Sequence, residues 1–204
     1  GEAGVFPATS EFMTGLRRLC DEKGILLILD EIQTGLGRTG KLFGYENYNI
    51  EPDIMTLGKG LGGGFPVAAF LAKDKVCLFE AGEQGGTFGA QPLAMAAVNA
   101  VMNQMINKNI PERARKRGNS LKRKLKKLGK ETGLTNIRGM GLLVAADLPH
   151  DKGANVAAYA FDHGLLINAP RPNTIRFIPS LTVSNAEIDE MLEIINRERC
   201  MNRI

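Results

Sequence analysis

Two residues of this chain have both the type and the setting for chemistry. Asp30 closes the run Ile25-Leu26-Leu27-Ile28-Leu29, and Lys59 stands among glycines in Leu57-Gly58-Lys59-Gly60-Leu61-Gly62-Gly63-Gly64. Five consecutive large aliphatics are too apolar for a half-exposed strand and predict one buried on both faces of a sheet. A carboxylate carried to the end of such a strand is costly unless a cation or donor meets it. In open α/β sheets, ligands collect outside the carboxyl ends of the strands. A lysine amine attacks carbonyls once it sheds its proton, which an apolar or already cationic setting favours. Its small neighbours let another group approach closely. Taken alone, Gly-Lys-Gly reads as a surface lysine in a flexible turn, and an aspartate as a cap or turn residue. The aliphatic run before Asp30 weighs against the second of these.

Further along, Gln84-Gly85-Gly86-Thr87-Phe88-Gly89 offers backbone N–H groups uncovered by glycine together with one hydroxyl, a combination that suits an oxyanion. Arg176, in Ile175-Arg176-Phe177, carries a planar fork that matches a carboxylate, or forms a structural ion pair. Gly35-Leu36-Gly37-Arg38-Thr39-Gly40-Lys41 fits the first seven positions of a phosphate-loop motif. Leu42 then stands where the magnesium-binding Ser or Thr belongs, so a nucleotide triphosphatase is rejected. Cys20, Cys77 and Cys200 are odd in number and lack metal-ligand spacing. Reduced thiols of a cytoplasmic protein, and no metal site, are expected.

The elements that must position these residues follow from pattern. Thr9 or Ser10 caps a helix with Phe12, Leu16, Leu19 and Cys20 on its apolar face, stopped by Gly24. The aliphatic strand comes next, then a loop over Phe43–Asn49. A strand over Ile54–Leu57 ends just before Lys59, and another returns over Val67–Ala72. Ala81–Gly89 is loop, and Pro92 opens a helix too apolar for a free surface. Composition turns polar and basic near Asn107, which sets a boundary between residues 1–106 and 107–204. Residues 113–130 hold ten lysines and arginines and no acid, against a net charge of +4 for the chain. Leu121, Leu125 and Leu128 recur at helical spacing, so the cations form the wet face of an amphipathic helix. No aromatic residue interleaves with them to stack bases, which disfavours a nucleic-acid partner. Beyond it, one strand is expected within Asn136–Asp147, over the run Gly139-Met140-Gly141-Leu142-Leu143-Val144, and others over Leu165–Asn168 and Thr174–Phe177. A helix is expected near Asn155–His163, and a last one from Ser184 with Glu187 completing a capping box. No apolar run approaches the ~20 residues that span a membrane, and no internal repeat occurs.

Three segments together, Asp30-Glu31-Ile32-Gln33-Thr34-Gly35-Leu36-Gly37-Arg38-Thr39-Gly40, Pro52-Asp53-Ile54-Met55-Thr56-Leu57-Gly58-Lys59 and Gly62-Gly63-Gly64-Phe65-Pro66, resemble the class III pyridoxal-phosphate-dependent aminotransferases. Within that class the acetylornithine and ornithine aminotransferases look nearest. The resemblance runs from Gly1 to the Ile175–Pro179 region and corresponds to the C-terminal half of a class about twice as long. It implies an α/β, fold-type I architecture: part of the large, mostly parallel-sheet cofactor domain, then the small C-terminal α/β domain. Lys59 would hold pyridoxal 5'-phosphate through its amine and shuttle the substrate Cα proton. Asp30 would pair with the ring nitrogen, and Gln33 would lie beside the ring oxygen. Thr87 would bind the phosphate from a loop shared with a neighbouring subunit, which implies a homodimer with shared active sites. Gly86 stands where the family commonly has Ser or Thr, so one possible substrate or phosphate hydroxyl is missing, and Ala90-Gln91 replaces the usual Gly-Asn before Pro92. Arg176 would clamp the α-carboxylate of glutamate, with Glu2 masking it otherwise. The implied reaction moves an amino group between glutamate/2-oxoglutarate and the terminal amine of N-acetylornithine. Ornithine or 4-aminobutyrate transfer, an aminomutase of the same family, or a fragment inactive alone are the alternatives. The first phosphate loop, the ring-stacking aromatic and a second substrate arginine are expected upstream of Gly1.

Overall fold

Helix α1 (Ser10–Lys23) begins where the Thr9 hydroxyl accepts the Phe12 N–H at 3.2 Å and stops at Gly24, whose φ of 63° suits glycine. The computed structural model describes residues 1–201, with side chains through Arg197, so Cys200 lies outside the described side chains. The chain divides into two compact units. One comprises Ala8–Gly37 and Lys41–Ile110; the other comprises Gly1–Pro7, Arg38–Gly40 and Pro111–Ile204. The division falls a few residues beyond Asn107, and two short upstream stretches join the C-terminal unit.

In the first unit, β1 (Ile28–Asp30) runs parallel to β2 (Ile54–Leu57), pairing Ile28 with Ile54 and Asp30 with Thr56. Strand β3 (Ala69–Ala72) returns antiparallel to β2. The five aliphatics do not form a strand buried on both faces. Leu27 is buried, but Ile25, Leu26 and Ile28 are 53%, 49% and 57% exposed. The physical reason is position: β1 is an edge of the described sheet, with only β2 hydrogen-bonded to it. The apolar face of α1 is also rotated from expectation. Met13, Leu16 and Cys20 pack with Leu27 and Ile50, whereas Phe12 and Leu19 stay exposed. Residues 43–49, expected as loop, contain a 3-10 helix over Gly44–Tyr48. Helix α2 (Pro92–Asn107) turns Val98 and Met102 onto Leu36, Leu57 and Leu61, but leaves Leu93 and Ile106 67% and 65% exposed.

Asp53, just ahead of β2, ties this unit together. Its buried carboxylate meets Lys75 Nζ at 2.8 Å, the Leu27 N–H at 3.0 Å and Arg17 Nη1 at 2.8 Å. The Lys75 ammonium foremost, then the Leu27 N–H and Arg17, holds its pKa far below the ordinary 3.8.

The second unit is an antiparallel sheet in the order β4 (Thr135–Met140), β5 (Leu143–Asp147), β7 (Thr174–Phe177), β6 (Asn168–Arg171). Helices α3 (Ile110–Thr132), α4 (Gly153–Asp162) and α5 (Asn185–Met201) complete it. Leu121 and Leu125 of α3, Val144 of β5, Ile175 and Phe177 of β7, and Ile188 of α5 share one core. The basic stretch of α3 is thus amphipathic, with Leu121 and Leu125 fully buried. The Gly-Met-Gly-Leu-Leu-Val run, expected as one strand, is a hairpin that turns at Gly141 and Leu142. Gly141 has φ 51°, and a Cβ there would lie 2.4 Å from the Arg38 carbonyl oxygen, so a side chain fits neither the backbone nor the space. The strand expected over Leu165–Asn168 instead occupies β6. At α5 the Ser184 hydroxyl accepts the Glu187 N–H at 3.1 Å while the Glu187 carboxylate accepts the Ser184 N–H at 2.7 Å, closing a capping box.

Candidate active site

Asp30 is the last residue of β1, and Lys59 follows the end of β2 by two residues. Because the two strands are parallel and adjacent, both residues leave the same, carboxyl-terminal end of the pair. Asp30 is exposed; its Oδ1 accepts the Ile32 N–H at 2.9 Å, and its other oxygen has no partner among the described residues. Lys59 opens a short 3-10 turn (Lys59–Gly62) with φ 45°, a left-handed conformation that a residue with a side chain adopts at a cost. Its amine is exposed and has no ion-pair or hydrogen-bond partner among the described residues. Gly58 before it is buried, and a Cβ there would press on Ile32 Cγ2 at 3.3 Å.

The turn that carries Asp30 is anchored from within by Glu31, to which the sequence reading assigns no role. This carboxylate is 3% exposed. It accepts the Gly44 N–H at 2.9 Å, the Tyr45 N–H at 2.8 Å and the Thr34 hydroxyl. Buried acids persist when hydrogen-bonded in this way. A Cβ on Gly44 would fall 2.9 Å from Glu31 Oε2, so a side chain there would push the carboxylate from its place. The sequence signal is there: an acid directly after the strand, and a glycine opening the segment that receives it. Gln33 lies half-buried in the same turn with no hydrogen bond among the described residues.

Thr87 and Gly86 lie exposed in the loop before α2. The described hydrogen bonds there stay within the loop: Gly89 N–H to the Gly86 carbonyl at 3.1 Å, and Gln91 Nε2 to the Thr87 carbonyl at 3.4 Å. A Cβ on Gly85 or Gly86 would meet nothing, so packing does not explain either glycine. The phosphate-loop decoy is neither strand-fed nor helix-opening; it is a turn whose Gly37 N–H bonds the Leu42 carbonyl at 3.1 Å.

In the other unit the structure brings Arg176 and Glu2 together. Arg176, on β7, is 8% exposed. Its Nη1 lies 2.9 Å from Glu2 Oε2 and 2.9 Å from the Gly1 carbonyl, and its Nε donates to Asn168 Oδ1 at 3.0 Å. The Glu2 side chain is 85% exposed, so this contact is a rim ion pair around a buried guanidinium. Such a pair contributes about 0–1 kcal/mol, weak enough for another carboxylate to displace Glu2. Asn168, which fixes the plane of the guanidinium, has no signal in the sequence. Arg38 figures there only as a member of the decoy and of the family motif, with no role of its own. Its half-buried guanidinium donates to the Leu142 and Pro179 carbonyls at 3.0 and 2.7 Å, and burial pulls its pKa down to about 10.

These residues fit pyridoxal phosphate in two respects. A carboxylate oxygen and an amine, neither with a partner among the described residues, leave the same sheet end. A hydroxyl beside two glycines that packing does not explain offers an oxyanion cradle. The model of the family described as aminotransferase class-III matches residues 1–198, and the chain belongs to that family, whose members depend on pyridoxal phosphate. Among curated relatives, acetylornithine aminotransferase 2 of Bordetella parapertussis is 50% identical over 196 residues, covering 95% of this chain and 50% of that protein. Acetylornithine aminotransferase of Caldanaerobacter subterraneus subsp. tengcongensis is 45% identical over 197 residues, covering 96% and 50%. Among solved structures, ornithine aminotransferase from Plasmodium yoelii matches with TM-score 0.91 and 35% identity over 98% of this chain and 55% of that one. Acetylornithine aminotransferase from Elizabethkingia anophelis matches with TM-score 0.90 and 35% identity over 97% and 51%. The chain spans about half the length of the curated relatives it matches. Among the described residues, no helix is long and apolar enough to cross a membrane.

Proposed function

We propose that this chain supplies the lysine, the ring-nitrogen partner and one substrate arginine of an aminotransferase that exchanges an amino group between glutamate/2-oxoglutarate and the terminal amine of N-acetylornithine. The observation that carries the reading is the shared exit of Asp30 and Lys59 from two adjacent parallel strands. Pyridoxal phosphate, when bound, supplies an aldehyde that captures amines and a ring that accepts the electron pair left when a Cα–H bond breaks.

The chain's own residues divide the remaining work. Asp30 keeps a proton on the ring nitrogen through the oxygen that Ile32 leaves free. Lys59 would anchor the cofactor through Nζ and would carry the proton removed from the substrate Cα. Gln33 would lie beside the ring oxygen, and Thr87, with the Gly86 backbone, would bind the phosphate or substrate from a loop shared across a homodimer. Arg176 orients glutamate by its α-carboxylate, displacing Glu2. Residues 1–106 then form part of the cofactor domain and 107–204 the small domain of a cytoplasmic enzyme. The names of the curated relatives favour acetylornithine over ornithine as the amino donor.

The test uses the enzyme that contains this half. With glutamate alone, the native protein converts its cofactor to the amine form, read by absorbance, and Lys59→Ala loses turnover with every donor. Normal turnover in Lys59→Ala would overturn the assignment. A native protein that turns over without accumulating the amine form would favour an aminomutase.

A further inference from the structure

An open cleft of about 690 Å³ lies between α3 and the edge strand β4, lined by Lys116, Asn119, Lys122, Arg123 and Lys126 from the helix and by Ile137–Gly139 from the strand. The helical residues recur every three or four positions and so line one side of α3. From Lys116 to Lys126 the row extends roughly 15 Å along the helix axis at ~1.5 Å per residue. The cations on this row are only partly compensated. Arg123 and Lys126 have no acidic partner among the described residues, and Lys116 is only 3.6 Å from Glu112, which also holds Arg115 at 2.6 Å. Arg138 at the rim is already committed to Asp147 at 2.8 Å and to the Gly4 and Val5 carbonyls.

Lys122 separates this cleft from an ordinary wet helix face. Its ammonium is half-buried and donates to the Gly139 carbonyl at 2.9 Å, which fixes it at the floor beside Lys126. Burial first, and Lys126 second, depress its pKa, so the charge sits where it is destabilised by its own surroundings. An anion in the cleft would offset this cost by pairing with Lys122 and Lys126.

We propose that this cleft binds the phosphate chain of a small polyphosphate. A single phosphate reaches one or two of the cations, whereas adjacent phosphates match a row of four. The cleft offers no aromatic side chain on which a base could stack. The chemistry therefore reads phosphates, whether inorganic or borne by a nucleotide.

The proposal is independent of the aminotransferase reading, and its test does not use activity. Binding of tripolyphosphate and of ATP is measured by calorimetry on the pyridoxal-phosphate-saturated enzyme at about 0.15 M salt, where long-range attraction is screened. Saturable, one-to-one binding of both is expected. Arg123→Gln with Lys126→Gln should weaken it by roughly tenfold or more, since removing a charge-assisted hydrogen bond costs that order. Lys127→Gln with Lys130→Gln removes the same charge from residues that do not line the cleft, and should change binding by less than about twofold on the same scale. No saturable binding, or equal weakening by both pairs, would reduce the cleft to a solvated helix face and overturn the proposal. ATP binding untouched by the cleft substitutions would place that site elsewhere and overturn it as well. So would single-stranded RNA that binds the cleft when tripolyphosphate does not.

Discussion

A buried guanidinium paired with an exposed carboxylate is an asymmetric device. Glu2 can leave Arg176 at little cost, but Arg176 cannot leave its site, because Asn168 and the Gly1 carbonyl hold it and its 8% exposure leaves water little access. If Glu2 masks the arginine, Glu2→Ala in the enzyme should preserve or improve the glutamate half-reaction while the half-reaction with the terminal-amine donor falls. Arg176→Ala should lose most of the glutamate half-reaction, since a desolvated bidentate carboxylate pairing is worth roughly 2–5 kcal/mol. Single-turnover rates with each donor in both variants decide the matter, and equal losses everywhere would leave a structural ion pair only. The candidate pairing is legible as a resemblance to a family pattern. The clamp on the arginine is not, because Asn168 and Gly1 are distant from each other in sequence and carry no local signal.

Among the elements, those marked by local chemistry can be read directly. Thr9, Gly24 and the Ser184–Glu187 box set helix ends through bonds between near neighbours, and the leucine spacing of α3 sets its buried face. What escapes such reading depends on neighbours that no local pattern reveals. The aliphatic run ending at Asp30 is an edge strand, and Gly141 breaks one apparent strand into a hairpin because another stretch of backbone touches it. Asp53 belongs to the same hidden class: a lone acid before β2 that proves to join α1, the residue leading into β1 and the segment after β3. Its folded-state pKa is depressed, so unfolded chains bind a proton near 3.8 that folded chains refuse. The stabilisation it provides is therefore full above that value and is lost as pH falls toward the folded one. Asp53→Asn should destabilise the first unit by about 2–3 kcal/mol at pH 7, below the 3–5 kcal/mol of a fully buried pair because Lys75 is mostly exposed. In urea unfolding the gap between native and variant should shrink as pH drops below about 4. A gap independent of pH would mean that shape, not charge, is what Asp53 contributes.

At the scale of the whole molecule the two units differ in how far they bury themselves. Val144, Ala145, Ala146 and Ile175 in the second unit are 0% exposed, whereas β1 and β3 in the first carry Ile28 at 57% and Phe70 at 62%. Amide hydrogen exchange on this chain should therefore find β5 and β7 the slowest and β1 and β3 faster by orders of magnitude, since local opening follows buried apolar contact. Uniform protection across both would show that burial does not govern opening here. The second unit is also assembled from three separated stretches, and this has a consequence for synthesis. Gly1 and Glu2 reach Arg176 across 175 and 174 residues, and Gly4 reaches Arg138 across 134. At ribosomal speeds of about 5–20 residues per second, the wait between making the first partner and the last is on the order of ten to thirty seconds. During that interval residues 1–7 lack their contacts with Arg138 and Arg176, and β7 completes the unit only when it emerges from the tunnel.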